Sequence, residues 1–216
     1  MKPQICAVVV NNDLQAITEA AALADLFEVR IDLIGEGWPE VAKSLKKPWL
    51  ATNRLAAEGG KWQDSEARRK EELLKALELG ASIIDIELAT PNLEKLAAVI
   101  KKRARCLISH HDLSGTPPLE KLKEIVKKQL EAGADICKVV ATAGDIKDNL
   151  TVLKLIAEFP KNQVIAFAMG QLGAASRILG PLAGSPFTYA AITKGEESAE
   201  GQLTVQELAA YYNLLL

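Results

Sequence analysis

The stretch SIIDIELATPNLEKLAAVIKKRARCLISHH (82–111) decides how the chain is organised. Its ends, SIIDIEL (82–88) and RCLISHH (105–111), are short apolar runs of strand character. Between them NLEKLAAVIKKR (92–103) carries apolar residues at helical spacing and closes on a basic turn. This is one strand, one helix and the next strand, and a helical crossover of that length joins parallel strands. The last strand also holds both histidines of the chain, His110 and His111.

Outward from this unit the same alternation continues to both ends. Further strand candidates are ICAVVV (5–10), LFEVRIDL (26–33), PWLAT (48–52), DICKVVAT (135–142), QVIAFAM (163–169) and PFTYAAI (186–192), which makes eight. Amphipathic segments such as LQAITEAAALA, SEARRKEELLKALELG, LEKLKEIVKKQLEAG, DIKDNLTVLKLIAEF and LTVQELAAYYNLLL lie between them. A short helix is expected within 36–47, and 173–183 opens with small residues. No Pro/Gly/Ser-rich linker or sequence repeat interrupts the 216 residues. Eight strand-then-helix units in so short a chain favour a (β/α)8 TIM barrel over a doubly wound open sheet. The expectation is one barrel domain spanning 1–216. Its last loop, TKGEESAEGQ (193–202), is polar and glycine-bearing, and fits either a lid over the barrel mouth or a plain connector.

Composition narrows the function. With 26 basic and 28 acidic residues the formal charge is -2, so no basic footprint draws nucleic acid or an anionic membrane. The opening MKPQICAVVVNND holds too short an apolar run for a signal peptide or membrane span, which gives the expectation of a cytoplasmic protein. Cys6, Cys106 and Cys137 each fall in a strand candidate, as buried reduced thiols do, and metal-ligand spacing is absent.

Barrel strands alternate inward and outward, and active sites form at their C-terminal ends. In LFEVRIDL this puts Glu28, Arg30 and Asp32 on one face and Phe27, Val29 and Ile31 on the other; in SIIDIEL it pairs Asp85 with Glu87. Charges turned into a dry interior must pair with one another, and such networks gather at functional sites. Lys138 shares a face with Ile136 and Val140, which sets an amine among these carboxylates. An ordinary lysine, with a pKa of about 10.4, is protonated at neutral pH, so a nucleophilic role requires apolar surroundings to depress it. Leu107, Ser109 and His111 share one face and Ile108 and His110 the other, so only one histidine can enter the barrel. His111 lies nearer the strand end, where an inward carboxylate such as Glu87 could orient its ring; His110 reads as structural. Arg54 follows the third strand, and MGQLGAASR follows the seventh. That loop offers a weak phosphate-cradle signal, and Arg177 equally a fork for a carboxylate.

Taken in order, EVRID (28–32), TNRLAAEGG (52–60), IDIEL (84–88), SHHD (109–112), DICKVVA (135–141), MGQLGAASR (169–177), GSPFTYA (184–190) and GQ (201–202) resemble type I 3-dehydroquinate dehydratases from the first strand to the last loop. The resemblance implies dehydration of 3-dehydroquinate to 3-dehydroshikimate in the shikimate pathway, without metal or organic cofactor. It makes Lys138 the imine-forming lysine and His111 the proton-transfer residue, oriented by Glu87. It assigns substrate binding to Glu28, Arg30, Arg54, Arg177, Ser198 and Gln202, and places Asp32, Glu58, Asp85, Met169 and Tyr189 near the pocket. Phe167 stands where relatives often have a second methionine, and Glu200 where proline is common. Longer relatives carry an N-terminal hairpin under the barrel, so here the floor is expected to be either open or plugged by side chains. The nearest rival is a class I aldolase, which also uses a lysine imine on a barrel but binds phosphate and lacks SHHD and EVRID. A non-catalytic barrel that binds a sugar acid or a partner protein has little support, since every proposed reactive residue is present. Leu- and Ala-rich faces such as LAAYYNLLL suit either a homodimer contact or cover for the barrel.

Overall fold

Eight parallel strands form one sheet in the computed structural model, which describes residues 2–216. They are β1 (Ile5–Val9), β2 (Leu26–Arg30), β3 (Trp49–Thr52), β4 (Ile83–Glu87), β5 (Arg105–His111), β6 (Ile136–Thr142), β7 (Val164–Met169) and β8 (Thr188–Ala191). The hydrogen-bonded order runs β7-β6-β5-β4-β3-β2-β1-β8, every pair parallel, so consecutive strands are neighbours and the sheet curls into a nearly closed (β/α)8 barrel. At the seam between β7 and β8 the rings of Phe167 and Tyr189 meet, with centroids 6.0 Å apart.

The helices are α1 (Leu14–Ala20), α2 (Ile31–Ile34), α3 (Trp38–Ser44), α4 (Glu66–Glu78), α5 (Leu93–Ile100), α6 (Leu119–Glu131), α7 (Asp148–Ala157), α8 (Ala174–Ala183) and α9 (Val205–Leu215). Several start where a side chain satisfies the free N–H groups of the first turn. Asp13 accepts from Gln15 and Ala16, Ser65 accepts from Arg68, and Thr204 exchanges hydrogen bonds with Glu207 in a capping box. Among the described residues no helix is long and apolar enough to cross a membrane.

The second strand is shorter than its alternation suggests. It ends at Arg30, and Ile31–Ile34 turn helical before Gly35, which takes φ 74°. Asp32 therefore does not share a strand face with Glu28 and Arg30. It folds back instead, and Arg30 grips it with two hydrogen bonds, Nε to Oδ1 at 2.9 Å and Nη2 to Oδ2 at 2.7 Å.

Elsewhere the period of two holds and sorts the core into layers. Outward residues of β1–β5, such as Val29, Ile84, Ile86 and Ile108, pack under the helices; Cys137, Val139 and Ala141 pack under α6 and α7. Inward residues Cys6, Leu26, Leu50, Ile83, Leu107, Ile136 and Ile165, with Phe187, form a separate apolar cluster. They lie toward the N-terminal ends of the strands, so side chains plug the floor and the polar residues are left to the upper half. The three cysteines are buried and free; burial pushes the Cys106 and Cys137 thiols up to about 12 and Cys6 well above its usual value.

Leu107 is fully buried in the plug. We expect Leu107→Ala to lose about 2–5 kcal/mol in urea unfolding, as a large-to-small core change does. A loss below about 1 kcal/mol, the size of a missing helix cap, would mean that the floor does not bear on stability.

Candidate active site

The upper half of the barrel is a layer of charges. Lys138 on β6 is buried, and its Nζ lies 3.1 Å from Asp85 Oδ2, 3.9 Å from Glu28 Oε1 and 4.1 Å above the centre of the Tyr189 ring. Its neighbours are thus two carboxylates, as the strand faces predict, and an aromatic ring. Asp85 on β4 also takes Arg54 Nη2 at 2.6 Å, and Ser109 Oγ donates to its other oxygen at 2.6 Å. Burial alone pushes the Asp85 carboxyl up, but Arg54 and Lys138 overcome that and hold it near about 2. Asp85 is a permanent anion, suited to fixing cations and unsuited to taking protons. Glu28 accepts a further hydrogen bond from Thr52 at 2.6 Å.

His111, at the end of β5, lines the same pocket, while His110 points the other way and is half-buried. Burial, then Arg54, Lys138 and Arg30, push the His111 ring well below the usual histidine value, so the resting imidazole is neutral. Its carboxylate partner is Glu58 and not Glu87. Glu58 Oε2 lies 2.8 Å from Nδ1 and 3.1 Å from the backbone nitrogen of His111. An oxygen that accepts the backbone N–H is placed to accept Nδ1–H as well, which leaves the lone pair on Nε2. Burial raises the Glu58 carboxyl to about 7 against the pull of Arg54, with Glu87 and Asp85 pushing the same way as burial.

The EGG turn delivers Glu58 to this position. After β3 the chain forms a helical turn at Ala56–Glu58, Gly59 adopts φ 82°, and a Cβ at Gly60 would overlap the Arg54 carbonyl oxygen. Only glycine allows that return. Glu87 does point inward, but to arginines: Oε1 lies 3.1 Å from Arg54 Nη1 and Oε2 lies 2.6 Å from Arg69 Nη1. Arg69 was not foreseen. It lies on the buried face of α4 with Glu72, Leu73, Ala76 and Leu77, and a cation on a largely apolar helical stripe was the available signal.

The wall of the pocket nearer the seam differs. Arg177 on α8 is 2% exposed, its guanidinium stacks 4.3 Å over Phe167, and its Nε has no partner. Burial lowers it to about 10. Arg30 and Arg54 are each held by carboxylates, whereas among the described residues Arg177 has none. Ser198 donates through N and Oγ to Gln202 Oε1, at 2.9 and 3.1 Å, and both residues line the pocket with Met169 and Tyr189. The loop that carries them is tied down where Gly170 N donates to Glu200 O at 3.1 Å, and a Cβ at Gly201 would overlap the Gly170 carbonyl. The N–H groups of Gly170, Gly173 and Ser176 are all engaged within the protein, which leaves these three no part in a phosphate cradle.

Comparison with known proteins finds relatives along nearly the whole chain. A 3-dehydroquinate dehydratase of Dehalococcoides mccartyi (strain ATCC BAA-2100) is 45% identical over 210 residues, covering 97% of this chain and 95% of the relative. One from Methanosarcina acetivorans is 35% identical over 230 residues, covering 99% and 95%. Among solved structures, 3-dehydroquinate dehydratase from Geobacillus kaustophilus superimposes with a TM-score of 0.87 at 27% identity, covering all of this chain and 91% of that one. The type I enzyme from Clostridium difficile, solved with covalently modified comenic acid, gives 0.86 at 27%, covering 99% and 92%. The profile of the type I 3-dehydroquinases matches residues 5–216, and the chain belongs to that family.

Proposed function

We propose that this family member removes water from 3-dehydroquinate through an imine on Lys138. The observation that carries the reading is a buried amine set beside a neutral histidine and an unpaired arginine in one pocket. Lys138 gives one ammonium proton to the neutral ring of His111, and the freed Nζ attacks the C3 carbonyl carbon; His111 returns that proton as the carbinolamine oxygen leaves as water, which gives a protonated imine that draws electrons from the adjacent C2–H bond. His111 Nε2 takes the C2 proton as the enamine forms. The enamine expels the C1 hydroxyl, His111 returns the proton to the leaving oxygen, and water hydrolyses the new imine to free 3-dehydroshikimate and Lys138.

The remaining residues hold the ring in place. Arg177 supplies the free fork for the substrate carboxylate, and Glu28, Arg30, Arg54 and Gln202 address its hydroxyls. Asp85 anchors Lys138 and Arg54, and Glu58 fixes the tautomer of His111. Ser198 and Gln202 bring loop 193–202 over the mouth as a lid. The covalently modified ligand in the Clostridium difficile structure is in keeping with covalent chemistry in this family.

Borohydride treatment with 3-dehydroquinate should add the mass of a reduced adduct to the wild type and none to Lys138→Ala; equal labelling would sink the imine assignment. His111→Ala should lose at least about a hundred-fold in kcat, and His110→Ala little, as general acid–base roles are worth that much. Arg177→Met should raise KM about ten- to a hundred-fold, the worth of a charge-assisted bond. A KM within two-fold of wild type would place the carboxylate elsewhere.

The acid limb should come from Glu58 and not, as an unperturbed histidine near 6.5 suggests, from His111 below about pH 6. As pH falls, a carboxyl raised to about 7 protonates first, and the neutral acid accepts more weakly from Nδ1–H and no longer balances positive charge on the ring. The pH profile of kcat/KM should therefore fall below about 7 in the wild type and lose that limb in Glu58→Gln. An unchanged limb in the variant would assign it to another group.

A further inference from the structure

Among the described residues, Arg69 is the one fully buried cation outside the pocket that the scheme above leaves unused. It lies behind the barrel wall on α4, at a position where the helix otherwise presents Glu72, Leu73, Ala76 and Leu77. Its guanidinium is saturated: Nε and Nη2 hold Glu66 at 2.7 and 2.9 Å, Nη2 also reaches Thr90 Oγ1 at 3.0 Å, and Nη1 reaches Glu87 Oε2 at 2.6 Å and Asn53 O at 3.2 Å. Burying a guanidinium at an apolar position costs stability unless its partners need it.

The partner that needs it is Glu87. Its two oxygens are divided, Oε2 to Arg69 and Oε1 to Arg54 Nη1 with Leu55 N at 3.2 Å. Arg54 in turn gives Nη2 to Asp85 and Nη1 to Ser109, and Asp85 meets Lys138. The charges alternate along one line from the helix to the amine: Arg69, Glu87, Arg54, Asp85, Lys138.

We propose that Arg69 is a positioning residue for the reaction, holding Glu87 so that Arg54 stays on Asp85 and Ser109 instead of being drawn toward Glu87. It acts without touching substrate, and it reaches both halves of the chemistry. Arg54 is the cation beside Asp85, and it also opposes burial at Glu58, which Glu87 and Asp85 push the other way and which His111 faces. The proposal rests on the roles given above to Lys138 and His111.

The test compares Arg69→Met, Glu87→Gln and the double variant with wild type in kcat/KM against pH, with melting temperature measured alongside. Arg69→Met should lower kcat/KM about ten-fold or more and move the acid limb up by about half a pH unit or more, because Glu87 is left with Arg54 alone. In the double variant, with no charge left on Glu87 to restrain, the limb should return toward wild type. Should Arg69→Met fail to fold, Glu87→Gln and the double variant decide the matter. If Arg69 acts only through Glu87, the two coincide in limb and in kcat/KM. A melting temperature that falls while the limb of Arg69→Met stays put would overturn the proposal. So would a double variant displaced beyond Glu87→Gln. Borohydride trapping in the wild type separates the two readings: no adduct there refutes the imine on Lys138, while the limb comparison still decides Arg69.

Discussion

The pocket depends on the carboxylate of Asp85. It is buried on β4, held near about 2, and it binds Arg54 at 2.6 Å and Lys138 at 3.1 Å on the same oxygen. Both cations share this one anion inside the barrel, with Glu87 and Glu28 as their further counter-charges. Buried ion pairs add little net stability, yet removing one partner costs about 3–5 kcal/mol because the other is stranded. The polar layer is therefore a geometric device whose cost the apolar plug beneath it offsets. Cys6, Leu26, Leu50, Ile83, Leu107, Ile136, Ile165 and Phe187 fill the floor, and charges occupy only the end where loops can build a site.

Within that layer the contrast among the arginines gives the pocket a direction. Arg30 is occupied by Asp32, and Arg54 by Asp85 and Glu87, whereas Arg177 stacks on Phe167 with its Nε unpartnered. An anionic group gains most where a desolvated cation lacks a counter-charge, so on the proposed reading the substrate carboxylate is drawn to the α8 wall and its C3 carbonyl toward β6. The aromatic pair across the β7–β8 seam, Phe167 and Tyr189, joins these two ends: Phe167 lies under Arg177 and Tyr189 under Lys138. Phenylalanine in place of a second methionine thus gives Arg177 a flat face to rest on. Glu200, where proline is common, contributes its backbone carbonyl, which any residue could supply.

The barrel was legible because a period of two needs no knowledge of the rest of the molecule. Strand alternation separated Ser109 and His111 from His110, and Lys138 from Cys137, and the structure keeps those faces. What alternation could not show was where a strand stops and which loop comes back. Asp32 left the β2 face because the chain turned helical one residue past Arg30. Glu87 looked like the partner of His111 because it points inward on the adjacent strand. Glu58 reached the ring first through a glycine turn, from 53 positions away in sequence. Arg69 was hidden for the same reason, since its partner Glu87 lies 18 positions on and only the packing of α4 against the barrel brings them together.

Two carboxyls near the same arginine thus end on opposite sides of the ordinary range: Arg54 lowers both, but only at Asp85, helped by Lys138, is burial outweighed. Asp85 touches Arg54 and is held far below neutrality; Glu58 is buried near it, gains less, and sits near about 7. The signs of their effects on folding are opposite. Asp85, lowered in the fold, favours the native state above its unfolded pKa, and that contribution is lost as pH falls toward about 2. Glu58, raised in the fold, favours the native state most when protonated, and that contribution is lost as pH rises from the ordinary carboxyl range through about 7. A shift of this size is on the order of 3 kcal/mol, so at neutral pH the native state carries a carboxylate that it would be more stable without. On the proposed reading the charge is retained because a carboxylate accepts more strongly than the neutral acid from Nδ1–H of His111 and so holds Nε2 as the base. The cost in stability and the capacity to move a proton have the same origin: burial of Glu58 behind the EGG turn.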